Sequence, residues 1–124
     1  MIIAFPLSQL SHCINRINEE CQQTGLVHSF IEHIGDGSFQ IFIAAEKETK
    51  INNRKEQLKV QNLFHTAINL AIEMNGNCAS EHGIGTEKMK YLEVELGRDT
   101  INLMRSIKKL FDPKNILNPG KIFL

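Results

Sequence analysis

The segment Ser80-Glu81-His82-Gly83-Ile84-Gly85 sets a carboxylate beside an imidazole and follows them with two glycines. Histidine is the side chain whose ordinary pKa lets it exchange a proton near neutral pH. A neighbouring glutamate can bind a metal or tune the imidazole. A second polar cluster surrounds Gly35-Asp36-Gly37-Ser38, with His33 before it and Gln40 after it. It is not a Walker loop, because no Gly-Lys-Ser/Thr follows. It opens no helix, so it is not a dinucleotide fingerprint either. Taken alone, it reads as a hairpin turn.

If the two segments converge, His33 and Glu81 begin a site for a divalent cation such as zinc or manganese, with Gln40 as a neutral, weak third donor. A lone histidine at a strand end is more often a hydrogen-bonded surface residue, and that reading of His33 stands beside the ligand one. His12, His28 and His65 have no partner at ligand spacing and read as structural or exposed. Lys88, Lys90, Lys108 and Lys109 read as solvated faces. Asp112-Pro113 and Asn118-Pro119-Gly120 are turn signals.

The elements that must position these residues follow from periodicity. Residues 2–7 suit a short strand, and Ser8 a helix N-cap. Leu10, Cys13, Ile14, Ile17 and Cys21 keep helical spacing up to Gly25. Leu26 to His33 reads as a strand. Phe39, Ile41 and Ile43 mark a second strand antiparallel to it, which places His33 and Gln40 at the two mouths of the turn. Glu46 to Lys55 is a polar surface excursion. Val60, Leu63, Phe64, Ala67, Ala71 and Met74, widened by Ile68 and Ile72, predict a helix ended by Gly76. A short extended piece, Asn77 to Ser80, delivers the Glu81-His82 loop. Glu87 to Leu96 predicts a helix closed by Gly97. A last helix starts at Asp99 or Thr100, turns Ile101, Met104, Ile107, Leu110 and Phe111 inward, and stops at Asp112-Pro113. The tail is irregular and too apolar to float free. The order predicts an α+β fold: a ferredoxin-like βαββα unit, then C-terminal helices and the tail.

The chain has 124 residues, the size of one domain, and 42% of them are hydrophobic. Lys+Arg and Asp+Glu are 14 each, so a basic excess for binding nucleic acid is lacking. No apolar run approaches the roughly 18 residues of a transmembrane segment, and the N-terminus lacks a basic signal region. A cytoplasmic setting is the expectation. Cys13, Cys21 and Cys78 form no metal-spaced pair and read as small core residues.

Three motifs occur in order: His33-Ile-Gly-Asp-Gly37, Ser80-Glu-His-Gly-Ile-Gly85, and Phe111-Asp-Pro-Lys-Asn-Ile-Leu-Asn-Pro-Gly-Lys121. Together they resemble the C-terminal part of the FAD-linked oxidase family, which holds cytochrome-type D-lactate dehydrogenases, the glycolate oxidase flavin subunit and D-2-hydroxyglutarate dehydrogenase. The likeness runs from about Phe5 to Leu124. Lys90 to Gly97, with Phe39, looks nearest to the D-lactate branch.

The resemblance implies an FAD-dependent oxidation of a 2-hydroxy acid to a 2-oxo acid. His33 and Glu81 match metal ligands, for zinc or manganese. His82 matches the base that takes the hydroxyl proton, and Asn118 lies near the flavin in relatives. Two positions depart from the pattern. Ser38 replaces an asparagine, and Gln40 replaces the histidine that supplies the third ligand, which weakens the metal site. The family's FAD-binding domain precedes the matched region, so residues 1–124 are expected to be a single C-terminal domain without it, inactive alone. The full enzyme is expected to be peripheral to a membrane. Expected partners are the small hydroxy acid and a flavin-domain subunit or a homodimer. The alternative is a non-catalytic stand-alone or remnant domain that binds a partner subunit or a small ligand.

Overall fold

The computed structural model describes residues 1–44 and 54–123. The expected surface excursion therefore lies outside the described residues, except for Arg54 and Lys55, which begin a helix. The chain forms two compact units, Met1–Ser80 and Glu81–Leu124.

The first unit is built from β1 (Ile2–Ala4), α1 (Leu10–Thr24), β2 (Val27–His33), β3 (Ser38–Ala44) and α2 (Arg54–Glu73). The three strands form one antiparallel sheet in the order β1-β3-β2. That order is what a split βαβ unit produces, so the α+β expectation holds. Alternation along β3 divides the sheet faces. Phe39 and Ile41 are fully buried on one face, where Ile3 pairs with Phe39 and Phe30 with Ile41. Phe39 stacks on Phe5 with ring centroids 5.6 Å apart and takes the edge of Phe30 at 5.8 Å. Helix α1 buries Leu10, Cys13, Ile17 and Cys21, and α2 buries Leu63, Ala67, Ile68 and Ala71. The two helices pack together, and α2 also touches β1. Cys13, Cys21 and Cys78 are buried, as expected of small core residues. Burial pushes the Cys21 thiol up to about 11, helped by the Glu20 carboxylate, so it stays protonated.

Helix ends differ from the sequence reading in detail. Ser8 does not cap α1. Pro6 starts a single 3-10 turn, Leu7–Gln9, and that turn runs straight into the helix. Gly25 closes α1 at φ 70°, as expected. Asn75, not Gly76, takes the left-handed position after α2, at φ 59°. Gly76 is needed for another reason. A β-carbon there would overlap the carbonyl oxygen of Ala4, with which Asn77 forms an isolated bridge.

The second unit holds α3 (Met89–Leu96), α4 (Arg98–Phe111) and the tail. Gly97 ends α3 and also serves as the N-cap of α4, so α4 starts one residue before Asp99. The expected inward stripe of α4 is corrected. Ile101 is buried, but Ile107, Leu110 and Phe111 are 50%, 77% and 78% exposed. At about 100° per residue, Ile101, Met104 and Lys108 share one face, whereas Leu103 and Leu110 lie across the helix from it and Ile107 lies to its side. Within this unit α4 packs on the short α3. Eight residues of α3 can cover only one side of a 14-residue partner.

Candidate active site

The hairpin positions the first group. Asp36 and Gly37 both donate a backbone N–H to the His33 carbonyl, at 3.1 Å each. Asp36 Oδ1 accepts the Ser38 amide at 2.8 Å and the Ser38 hydroxyl at 2.6 Å. The Ser38 hydroxyl, then its amide, hold the Asp36 carboxyl below its ordinary pKa. Gly37 is buried at φ 76°, and its carbonyl accepts the Phe5 amide at 2.9 Å. The turn is therefore docked on the chain leaving β1.

Register moves one predicted residue. Ser38, not Gln40, stands opposite His33, and Gln40 stands opposite Ile31. A two-residue step keeps Gln40 on the same sheet face as His33 but further from the turn. The sequence reading counted along the chain. The Asp36–Ser38 contacts start the strand earlier, so the ladder closes at Ser38.

Glu81 and His82 belong to a 3-10 turn, Ser80–His82. Ser80 is at φ 45°, and its amide is held by Asn77 Oδ1 at 2.6 Å. Glu81 Oε1 lies 3.8 Å from His82 Nε2, with both side chains more than half exposed. That spacing becomes an ion pair when the imidazole takes up a proton. Gly85, at φ 56°, offers its carbonyl to the Ile122 amide at 2.8 Å, which ties the tail to this loop. Lys88 is corrected from a solvated residue to a buried one, 8% exposed. Its amide bonds the Ile84 carbonyl and its carbonyl accepts the Tyr91 amide, which fixes it where the loop turns into α3.

Asp112 organises the tail from beneath. It is 5% exposed and pairs with Lys108, and its oxygens accept the amides of Ile116 at 2.9 Å and Leu117 at 3.0 Å. Lys108 also donates to the Leu117 carbonyl at 2.7 Å, so it staples the tail while its side chain stays partly exposed. Asn118 lies exposed in this tail at φ 46°. The Lys108 ammonium, followed by the two amides, holds the Asp112 carboxyl below its ordinary pKa. A depressed carboxylate adds stability above its unfolded pKa and loses it as pH falls through the folded value. The Ile116 and Leu117 amide resonances are therefore expected to stay native on acidification past the usual carboxylate value of about 3.9 and to shift only below it. In Asp112→Asn that transition disappears.

Sequence reasoning passed over Asp36 and Asp112 as turn residues and Asn77 as the start of an extended piece. The available signal was a side-chain oxygen placed two to five residues before a backbone amide that needs an acceptor.

The candidate donors do not make a metal site within either unit. The first unit supplies His33 and Gln40, and the second supplies Glu81 and His82. No group of three His, Cys, Asp or Glu residues suited to a metal is found among the described residues. FAD phosphates find no cradle at Gly35–Gly37, because the space a β-carbon would take at Gly37 already holds the Phe5 carbonyl. A surface groove of about 260 Å³ lies between α1 and α2, lined by residues such as Arg16, Glu20, Leu63 and Glu73, and none of the candidate site residues reaches it. No helix of the described residues is long and apolar enough to cross a membrane.

The family model for FAD linked oxidases, C-terminal domain, matches residues 1–122. The chain is 39% identical over 97% of its length to a mitochondrial D-lactate dehydrogenase [cytochrome] of Arabidopsis thaliana, and 39% identical over 98% to that of Kluyveromyces lactis. It is 35% identical over 95% of its length to the glycolate oxidase subunit GlcD of Bacillus subtilis. It covers 20% of each dehydrogenase and 24% of the oxidase subunit, so it spans about a fifth to a quarter of the relatives it matches. With the hairpin, the Glu-His-Gly loop and the stapled tail all inside the matched region, the chain belongs to the FAD linked oxidases, C-terminal domain family.

Proposed function

We propose that these residues form the substrate side of an FAD-dependent D-2-hydroxy acid dehydrogenase, of the D-lactate type. The observation that carries this reading is the exposed Glu81–His82 pair on a turn braced by Asn77 behind it and by the tail ahead of it. A proton acceptor must meet its substrate, so exposure suits His82 better than burial would. In this reading His82 takes the hydroxyl proton of the substrate. Glu81 faces the imidazolium that results and favours it electrostatically. FAD, when bound, would supply the acceptor for the hydride that leaves the α-carbon. Asn118, on the stapled tail, would help hold the flavin.

His33, Gln40 and Glu81 are proposed as contacts for a zinc or manganese ion. An amide at Gln40 in place of an imidazole makes that a weak site, and no step above depends on it. The exposed stripe Leu103, Ile107 and Leu110 fits burial against a flavin-bearing partner surface. On this reading, residues 1–124 alone do not turn over substrate.

The test is anaerobic mixing of D- and L-2-hydroxy acids with the FAD-loaded protein, that is, the chain together with its flavin-bearing partner. The D-acid is expected to bleach the flavin absorbance and the L-acid is not. Dye reduction by the 124-residue chain alone would overturn the dependence on a flavin partner. A second reading, a partner-binding domain without catalysis, is favoured by Ser38 and Gln40 at the two departures. It predicts no flavin bleaching by either enantiomer.

A further inference from the structure

The tail concentrates backbone strain. Asn115, Asn118 and Ile122 lie at φ 50°, 46° and 67°, with Gly120 at 70° between them. A β-branched residue at positive φ is uncommon, and each such position costs roughly 1–3 kcal/mol. Strain of this kind persists only where the surroundings over-determine the backbone. Two sets of bonds do so here. At one end, Asp112 holds the Ile116 and Leu117 amides and is itself paired with Lys108. At the other end, the Ile122 amide, on the strained residue, bonds the Gly85 carbonyl three residues beyond His82.

We propose that Asp112 is a positioning residue for the Glu81–His82 loop. Its carboxylate sets the path of the tail, and the tail's Ile122 amide clasps the loop at Gly85. Asp112 touches no reacting group; it acts through eleven residues of tail (112–122) that end in one hydrogen bond to the loop. The catalytic part of this inference rests on the reading that His82 is the base. The clasp itself does not.

The test is amide hydrogen exchange by NMR in the full chain. In Asp112→Ala, exchange at Ile122 is expected to speed up by roughly five- to tenfold, the effect of losing one net hydrogen bond. The Lys88 amide, which closes the loop on Ile84, is expected to follow, while α1 and α2 amides hold their rates. Ile122→Pro removes the donor, and its ring, locked at about −65°, cannot hold the φ of 67° either, so it breaks the clasp on both counts while Asp112 and Lys108 stay in place. It should loosen the loop equally while Ile116 and Leu117 stay protected. Ile122→Gly keeps the donor and relieves the positive φ, so loop protection should persist or rise. If Asp112→Ala does not fold, the two Ile122 variants carry the test. Loop amides that ignore Ile122→Pro would overturn the clasp.

In the FAD-loaded protein, Ile122→Pro is expected to lower kcat with KM nearly unchanged. Unchanged kcat in an active protein overturns the positioning role. A loosened loop in a protein that never bleaches its flavin instead supports the clasp and defeats the functional reading.

Discussion

Replacing His82 with Asn lowers kcat for the D-2-hydroxy acid in the FAD-loaded protein by roughly two to four orders of magnitude, the usual contribution of a positioned general base. Asn keeps a side chain of similar polarity and can still donate and accept hydrogen bonds, but it cannot take up a proton. The loss should therefore fall on kcat and on kcat/KM together, because the interaction develops only as the hydroxyl proton leaves. Glu81→Gln should cost less than His82→Asn. It removes the charge facing the imidazolium, across 3.8 Å and in a solvent-exposed setting where such pairs are worth little. His82 is more than half exposed, so its replacement should shift stability by no more than about 0.5 kcal/mol. Steady-state kinetics beside a urea titration separate the two effects. An active His82→Asn protein with unchanged kcat would place the base elsewhere and remove the central assignment.

How much of this was legible in the sequence depended on the range of the interaction. Periodicity found α1, α2, β2 and β3 because their core sides repeat at 3.6 or 2 residues, and Phe39 and Ile41 on β3 are separated by half-buried Gln40 and followed by exposed Phe42. It misplaced the cap of α1, because Pro6 imposes a 3-10 turn before Ser8 can act. It also placed Gln40 at the turn mouth, because register is set by the Asp36–Ser38 bonds rather than by counting residues. On α4 the apolar residues span more of the helix circumference than one face can bury. Hydrophobicity alone did not say which side α3 would take. The Glu81-His82 pair was legible from composition. What braces it was not, since Gly85 and Ile122 act through backbone groups that every residue carries, and the side chains of Asn77 and Asp112 bond to backbone amides that every residue but proline carries.

The position of His33 depends on another backbone contact, between Phe5 and Gly37, and Gly37→Ala tests it. At φ 76° an alanine bears the left-handed penalty of roughly 1–2 kcal/mol. Its β-carbon would also overlap the Phe5 carbonyl oxygen, and both are backbone positions that cannot rotate away. Relief requires the turn to lift from the chain after β1 and to lose the Phe5-to-Gly37 hydrogen bond at 2.9 Å. Overpacking of this sort adds roughly 1–3 kcal/mol, so the total loss is expected to be roughly 2–5 kcal/mol. Against a typical domain stability of about 5–15 kcal/mol, that is a large share of what holds the first unit folded. Gly35 supplies the internal control. It lies in the same turn, has no neighbour within 4 Å of an added β-carbon and is not at positive φ. Gly35→Ala should therefore change stability by no more than about 0.5 kcal/mol. Urea midpoints compared at constant slope give the difference directly. If the two alanine variants unfold at the same urea concentration, the turn is not docked on β1. The bonds that Asp36 and Gly37 make to the His33 carbonyl would then brace a free hairpin tip, and nothing would hold His33 in a fixed place for substrate or metal.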